Sequence, residues 1–289
     1  MNGQDFAAFH NRLRLPGKLY LETALRVGAG RSVDAAGPDL PVVKDAFGRP
    51  YIPGSSFKGA LRAYVESLLR GLQERLGRRD LACLSVSKPD TLDYEGCLTP
   101  KKVKALREKP EFRNDPEALD KALWEGSCLV CRVFGAPWLA SKVRVRDLMV
   151  DEQSWPERYE WRDGVAIDRD TGTAAEGLKY DFEAVPPGVA FNFALQAENT
   201  TPAEQGLLLL ALRGFEEGWV PLGGGRSRGL GRVWLELDWA NSEYLEEDSL
   251  LDYLRGTVEK ERLRAFAKED FRHSRLEEFF KEAGVKENA

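Results

Sequence analysis

Histidine is scarce in this chain of 289 residues: His10 and His273, one near each terminus, are its only imidazoles. Chemistry that needs a side chain titrating near neutral pH therefore has no imidazole inside any motif described below. A run of about 18 apolar residues is also missing, which argues against a membrane-spanning helix and a membrane partner. The opening stretch, MNGQDFAAFHNRLRLPGKLY, lacks the apolar core of a secretory leader, so a cytoplasmic protein is expected. There are only four cysteines, and in the cytosol these are thiols or metal ligands before they are disulfides. Positive charge is short as well: the net charge is −5 and the pI near 5.4, at first sight a poor match to nucleic acid. The deficit is local. From Glu243 to the end there are 13 acidic and 9 basic residues, a balance of −4, which leaves about −1 for everything before. A local basic strip can still serve a single strand.

What is present reads as alternating strands and helices. Lys18–Val27 alternates Leu19, Leu21 and Leu25 with polar residues, as a half-buried strand does. Ser55 or Ser56 is placed to cap a helix in which Phe57, Leu61, Val65, Leu69 and Leu76 keep helical spacing as far as Gly77. Lys142–Val150 and Gly188–Ala197 read as strands. Thr201 and Pro202 supply the cap and first residue of a second helix through Phe215, and Gly231–Trp239 closes as a last strand. Residues from about 78 to 141 read as an insertion, and 155–187 as a second one carrying a hairpin at Trp161–Tyr180. Without them the order is βαββαβ, an α+β, ferredoxin-like plan shared with RRM-type RNA-recognition domains. The domain runs over 1–242. The remainder, 243–289, reads as a charged helical C-terminal extension, a solvated appendage or a protein-docking element.

Two segments carry the chemistry. The first, GAGRSVDAAGPDLPVVKDAFGRPYIPGSSFKGALR over Gly28–Arg62, joins a long loop stiffened by Pro38, Pro41, Pro50 and Pro53 to a helix start, where free N–H groups and Lys58 and Arg62 could meet phosphate. The second, LGGGRSRGLGR over Leu222–Arg232, is not a Walker loop, since no Lys-Ser/Thr follows the glycines, and it precedes a strand where a dinucleotide fingerprint would precede a helix. Gly223, Gly224 and Gly225 allow close backbone approach, and Arg226, Arg228 and Arg232 supply phosphate donors. Together the two suit a single-stranded nucleic acid, RNA first. Within the first loop Asp34, Asp39 and Asp45 are all candidate carboxylates, or simple turn formers. Cys128-x-x-Cys131 has the geometry of half a zinc knuckle. Cys83 and Cys97 lie at a wider spacing, and the four are expected to hold one structural zinc, because the insertion otherwise lacks apolar residues for a core.

The pair PYIPGSSFKGALR and PLGGGRSRGLGRV resembles the signature of the RAMP (repeat-associated mysterious protein) superfamily. Within it, GPDLPVVKDAFGRPYIPGSS and AIDRDTGTAAEGLKYDFEAVPPG resemble the backbone subunits of type III, RNA-targeting CRISPR effector complexes. The likeness extends to about Trp239. It implies a subunit that stacks along a CRISPR guide RNA beside other subunits and copies of itself, holds guide backbone between its first helix and glycine loop, and inserts a hairpin thumb into the duplex with single-stranded target RNA. It selects Asp39, two residues ahead of Pro41, as the carboxylate that cuts the target, aided by Mg²⁺ or Mn²⁺. It makes Lys44, Ser55, Ser56, Lys58, Arg62, Gly223, Gly224, Gly225, Arg226, Arg228 and Arg232 the guide contacts. Some members carry zinc in a comparable insertion. A non-catalytic backbone subunit and a guide-processing endoribonuclease are the alternatives, the latter disfavoured by the missing imidazole.

Overall fold

The protein is described here as a computed structural model covering residues 8–30, 38–84, 96–258 and 268–285. Its architecture is α+β. Strand β1 (Asn11–Leu21) is the spine, with Leu13, Leu15, Leu19 and Leu21 turned to the core. It begins seven residues before the expected strand and stops at Leu21. Pro16 and Gly17 hide the earlier alternation in the sequence. Gly17 is required there, because a Cβ would stand 2.3 Å from the Glu236 carbonyl oxygen.

Strands β3 (Val143–Val145), β7 (Ala190–Glu198), β1 and β8 (Val233–Leu237) form an antiparallel sheet in the order β3-β7-β1-β8, and β9 (Glu243–Glu246) pairs with the other end of β1. The expected strand Lys142–Val150 is split. Its second half, β4 (Leu148–Met149), leaves the sheet to pair with β2 (Tyr51–Ile52). The long hairpin is β5 (Glu160–Ile167) with β6 (Ala174–Ala184), a separate two-stranded sheet.

Helices α1 (Gly54–Leu76) and α6 (Pro202–Glu216) cover the apolar face of the main sheet. Phe57 stacks on Phe215 at 4.5 Å and meets Phe193 at 5.0 Å with its ring tilted by 51°, which joins both helices to β7. Helix α1 ends at Gly77, whose left-handed φ of 66° is the conformation glycine adopts without a Cβ penalty. Neither serine caps its start. Pro53 occupies that position, and the Gly54 N–H is satisfied from outside the helix by Asp147 at 2.8 Å. Helix α6 has the full capping box between Thr201 and Glu204.

Two expectations about the periphery are corrected. The cysteine insertion, carrying α2 (Pro100–Glu108), α3 (Pro110–Arg113), α4 (Pro116–Glu125) and α5 (Leu129–Phe134), does not lack apolar residues for a core: Leu129, Val130, Val133 and Phe134 are buried in the main apolar cluster. The charged tail is not a mere appendage. After β9 and the short α7 (Leu250–Leu254), helix α8 (Lys268–Ala283) buries Phe271, Phe279 and Ala283 along α6. Gly206 permits that approach, since a Cβ there would fall 1.9 Å from the Arg275 carbonyl oxygen. Among the described residues no helix is long and apolar enough to cross a membrane.

Among the described residues one ion pair is fully buried. Lys142 donates to both oxygens of Glu204 at 2.9 and 2.7 Å and lies 4.5 Å from the Trp124 ring centre. Burial pulls the Lys142 pKa down, while Glu204 opposes that. Such a pair contributes little net stability, but loss of one partner strands a charge. Lys142→Met is expected to lower unfolding stability by about 3 kcal/mol in denaturant titration, and Arg144→Met, at an exposed position, to change it little.

Candidate nucleic-acid interface and metal centre

The glycine loop is held by the chain that leaves β1. The Gly224 N–H donates to the Arg26 carbonyl at 2.8 Å, and the Gly231 N–H to the Ala24 carbonyl at 2.9 Å. Gly223 has φ 73°, and a Cβ there would sit 2.3 Å from the Arg26 carbonyl oxygen, so only glycine allows the contact. Gly225 (φ 75°) opens a single 3-10 turn over Arg226–Arg228, with Arg226 and Arg228 exposed. Arg226 borders a groove of about 410 Å³. Ser56, Gly59, Ala60 and Ala63 of α1 form the facing wall, and Trp219 and Gly223 lie on the loop side. The two sequence segments therefore meet in space.

Several predicted contacts point elsewhere. Lys58 donates to Ser141 Oγ at 2.6 Å and to the Val143 carbonyl at 2.9 Å; burial, and then Arg62, lower its pKa. Arg62 donates to Glu66 at 2.7 Å, to the Gly135 carbonyl at 2.8 Å and to Cys131 Sγ at 3.5 Å. Burial opposes its charge, but Glu66 and the nearby cysteine sulfurs outweigh that and raise its pKa. Being one turn apart, the two bases share a helical face, and that face turns toward β3 and α5 while Ser56, Gly59 and Ala63 line the groove. Ser55 is exposed at the helix start. Lys44 pairs with the buried Glu183 at 2.9 Å and lies 4.2 Å from the Tyr159 ring centre. Arg228 donates to the Tyr180 hydroxyl at the hairpin base, and Arg232 pairs with Glu22 at 3.2 Å.

Asp39 is exposed beside that base. Its N–H donates to Asp181 Oδ1 at 2.7 Å, and the Asp181 N–H donates to Asp39 Oδ2 at 3.2 Å. The next residues continue the pairing: the Glu183 N–H meets the Leu40 carbonyl at 3.1 Å, and the Val42 N–H meets the Glu183 carboxylate at 3.2 Å. Asp45 is occupied within its own turn by Phe47, Arg49 and the Arg49 guanidinium, and Asp34 lies outside the described residues. Arg26 escapes sequence inspection, being one arginine at the end of a strand. Its guanidinium sits 5.4 Å from the Phe182 ring centre, and its buried Nε has no hydrogen-bond partner among the described residues. It thus lies between the glycine loop and the segment holding Asp39. Asp181 and Tyr180 were equally silent, since only hairpin register shows what they face.

The four cysteines form one cluster. All four Sγ atoms lie within 4.8 Å of one another and could hold a metal ion. Cys83 and Cys131 are 3.6 Å apart, Cys97 and Cys131 3.9 Å. Four sulfurs about 2.3 Å from a tetrahedral ion would be about 3.8 Å apart, so the spacing fits. The Cys128 N–H and the Arg62 guanidinium both donate to sulfur, as outer partners of thiolate ligands do.

Comparison with known proteins adds to this geometry. The RAMP superfamily model matches residues 18–234. The chain is 26% identical over 231 residues to the CRISPR system Cms endoribonuclease Csm3 of Methanocaldococcus jannaschii, covering 76% of each chain. It is also similar over short stretches to identically named proteins: 37% identity over 60 residues in Methanothermobacter thermautotrophicus, which is 20% of this chain and 24% of the relative, and 40% over 58 residues in Enterococcus italicus, 19% and 27%. For the cysteine cluster, purified protein is expected to retain one thiophilic metal ion per chain by elemental analysis. Cys131→Ser is expected to lose it and to melt at lower temperature. Full metal content in that variant would contradict the four-sulfur site.

Proposed function

This chain belongs to the RAMP superfamily, and on that premise we propose that it is a guide-RNA-holding backbone subunit of a type III CRISPR effector complex that cleaves complementary target RNA in the cytoplasm. The similarity to proteins named CRISPR endoribonucleases supports the activity. The observation that carries the reading is the groove shared by α1 and the glycine loop, with Arg226 on its edge. Residues at such an edge hold the ribose-phosphate chain in register, while base pairing between guide and target reads sequence. Ser55, Ser56, the glycine-loop amides and Arg226 are the guide contacts favoured by their placement, while Arg228 is tied to the hairpin and Arg232 to Glu22. Lys58 and Arg62 act indirectly, by fixing α1 against β3 and the cysteine cluster. Lys44 steadies Glu183 under the hairpin.

The core is read as ferredoxin-like, supported by a β3-β7-β1-β8 order in which two βαβ units interleave. The metal of the cysteine cluster is read as structural zinc, for which a closed all-sulfur site is suited. The hairpin β5–β6 is the thumb. Its Trp161, Val165 and Ile167 are exposed where a soluble protein would place polar side chains, as befits a surface that inserts between bases. The neighbouring subunits include further copies of this chain.

Asp39 stands at the foot of that thumb and is the catalytic carboxylate of this reading. It takes the proton of a target 2′-hydroxyl as that oxygen forms a bond to the adjacent phosphorus. The 5′-oxygen leaves and is protonated by water, so the products are a cyclic phosphate and a 5′-hydroxyl. The exposed carboxylate is a hard-oxygen ligand suited to Mg²⁺ or Mn²⁺, which when bound would neutralise charge developing on the phosphate. In the guide-loaded complex Asp39→Ala is expected to slow target cleavage by about 10²-fold or more, with guide affinity unchanged. Undiminished cleavage would remove Asp39 from the mechanism and leave a non-catalytic backbone role.

A further inference from the structure

The groove has a component that phosphate binding does not use. Trp219 follows the turn at Gly218 (φ 68°) that ends α6. Its backbone is fixed, since the N–H groups of Trp219 and Val220 both donate to the Gly214 carbonyl, at 2.8 and 3.2 Å. Val220 is buried, yet the Trp219 side chain is 68% exposed. Among the described residues it has neither a ring partner nor a hydrogen bond. A large aromatic ring on a fixed backbone, bordering a groove and left bare, is a ready surface for a base to stack on.

The helix side of the groove carries the small residues Gly59, Ala60 and Ala63, with Tyr64 next along α1. A Cβ added at Gly59 would meet nothing within 4 Å, so the space beside the helix is open. Arg226 and Ser56 supply a cation and a hydroxyl along the same groove. The result is a slot with Trp219 on the loop side, a helix wall of small residues ending at Tyr64, and a phosphate donor. Its volume of about 410 Å³ falls within the range of small-ligand sites, about 300–1,000 Å³.

We propose that this slot is a nucleobase subsite, in which Trp219 stacks on one base of the bound RNA while Arg226 meets its phosphate. The inference rests on the reading that the groove holds RNA, and deepens it by adding a contact to a base. Because every base has a π-face, the subsite tolerates any sequence. A peptide ligand is less well matched, since the slot offers no sheet edge to pair with.

Binding of a fluorescein-labelled single-stranded RNA to the full-length chain, read by anisotropy, tests this when repeated with an abasic RNA of equal length. Trp219→Ala is expected to weaken binding of ordinary RNA about tenfold, and Trp219→Tyr to restore most of it. The abasic RNA should bind wild type at the weakened level, with no further loss in Trp219→Ala. Gly59→Leu, which fills the slot from the helix side, should repeat the base-dependent loss and covers the case in which Trp219→Ala fails to fold. Equal losses on both RNAs, or no loss on either, would overturn the subsite while leaving the groove an RNA site. Failure of wild type to bind ordinary RNA would overturn the guide-holding reading and the subsite together.

Discussion

Three residues that leave the first strand, Ala24 to Arg26, hold the functional parts of this molecule in one place. Their carbonyls accept the Gly231 and Gly224 N–H groups of the glycine loop. Between them Leu25 exchanges two hydrogen bonds with Val185, at the end of the long hairpin, at 2.9 and 2.8 Å. The short stretch between the first strand and the chain's long loop thus joins the glycine turn to the hairpin base. Everything assigned to function hangs from this junction: Arg226 reaches the α1 groove from one side, and Asp39 lies along β6 on the other. The contact is close enough that Gly223 cannot carry a side chain, which ties the glycine run to geometry first and to ligand second.

The electrostatics follow the same division of labour. An acidic protein meets RNA by sparing a few cations, and most of the bases near the groove are already engaged. Lys58 and Arg62 are drawn inward to carbonyls, a hydroxyl and the cysteine cluster, Lys44 to Glu183, and Arg232 to Glu22. These pairs fix the walls. Arg226 borders the groove itself, so positioning there depends on backbone amides, hydroxyls and stacking as much as on charge. The cysteine cluster belongs to the walls too, because Arg62 connects Cys131 to α1.

Local signals survived the step from sequence to structure. The Thr201-Pro202 start of α6, the Gly77 stop of α1 and the Cys-x-x-Cys half-site all act over a few residues, where the chain's own chemistry decides. What depended on tertiary packing did not survive. Helical spacing showed that Lys58 and Arg62 share a face but not which neighbour that face meets. The start of α1 is satisfied by Asp147, almost a hundred residues away, so no cap was visible nearby. The Lys142–Val150 alternation was real, yet Asp147 and the tight approach of Gly54 to Val145 break it into two strands in different sheets. The acidic tail concealed a sheet strand and an α6-packing helix, because Phe271, Phe279 and Ala283 are sparse among charges. Trp219 and Arg26 carried no motif, and only their surroundings give them meaning.

The most direct test of a groove shared by α1 and the glycine loop is photochemical crosslinking of bound guide RNA to the full-length chain, with the modified peptides identified by mass spectrometry. The account predicts crosslinks in both the Gly54–Tyr64 and Trp219–Arg232 peptides on the same RNA. Crosslinks confined to one of them, or lying instead on the open sheet face around Lys18 and Tyr20, would contradict it.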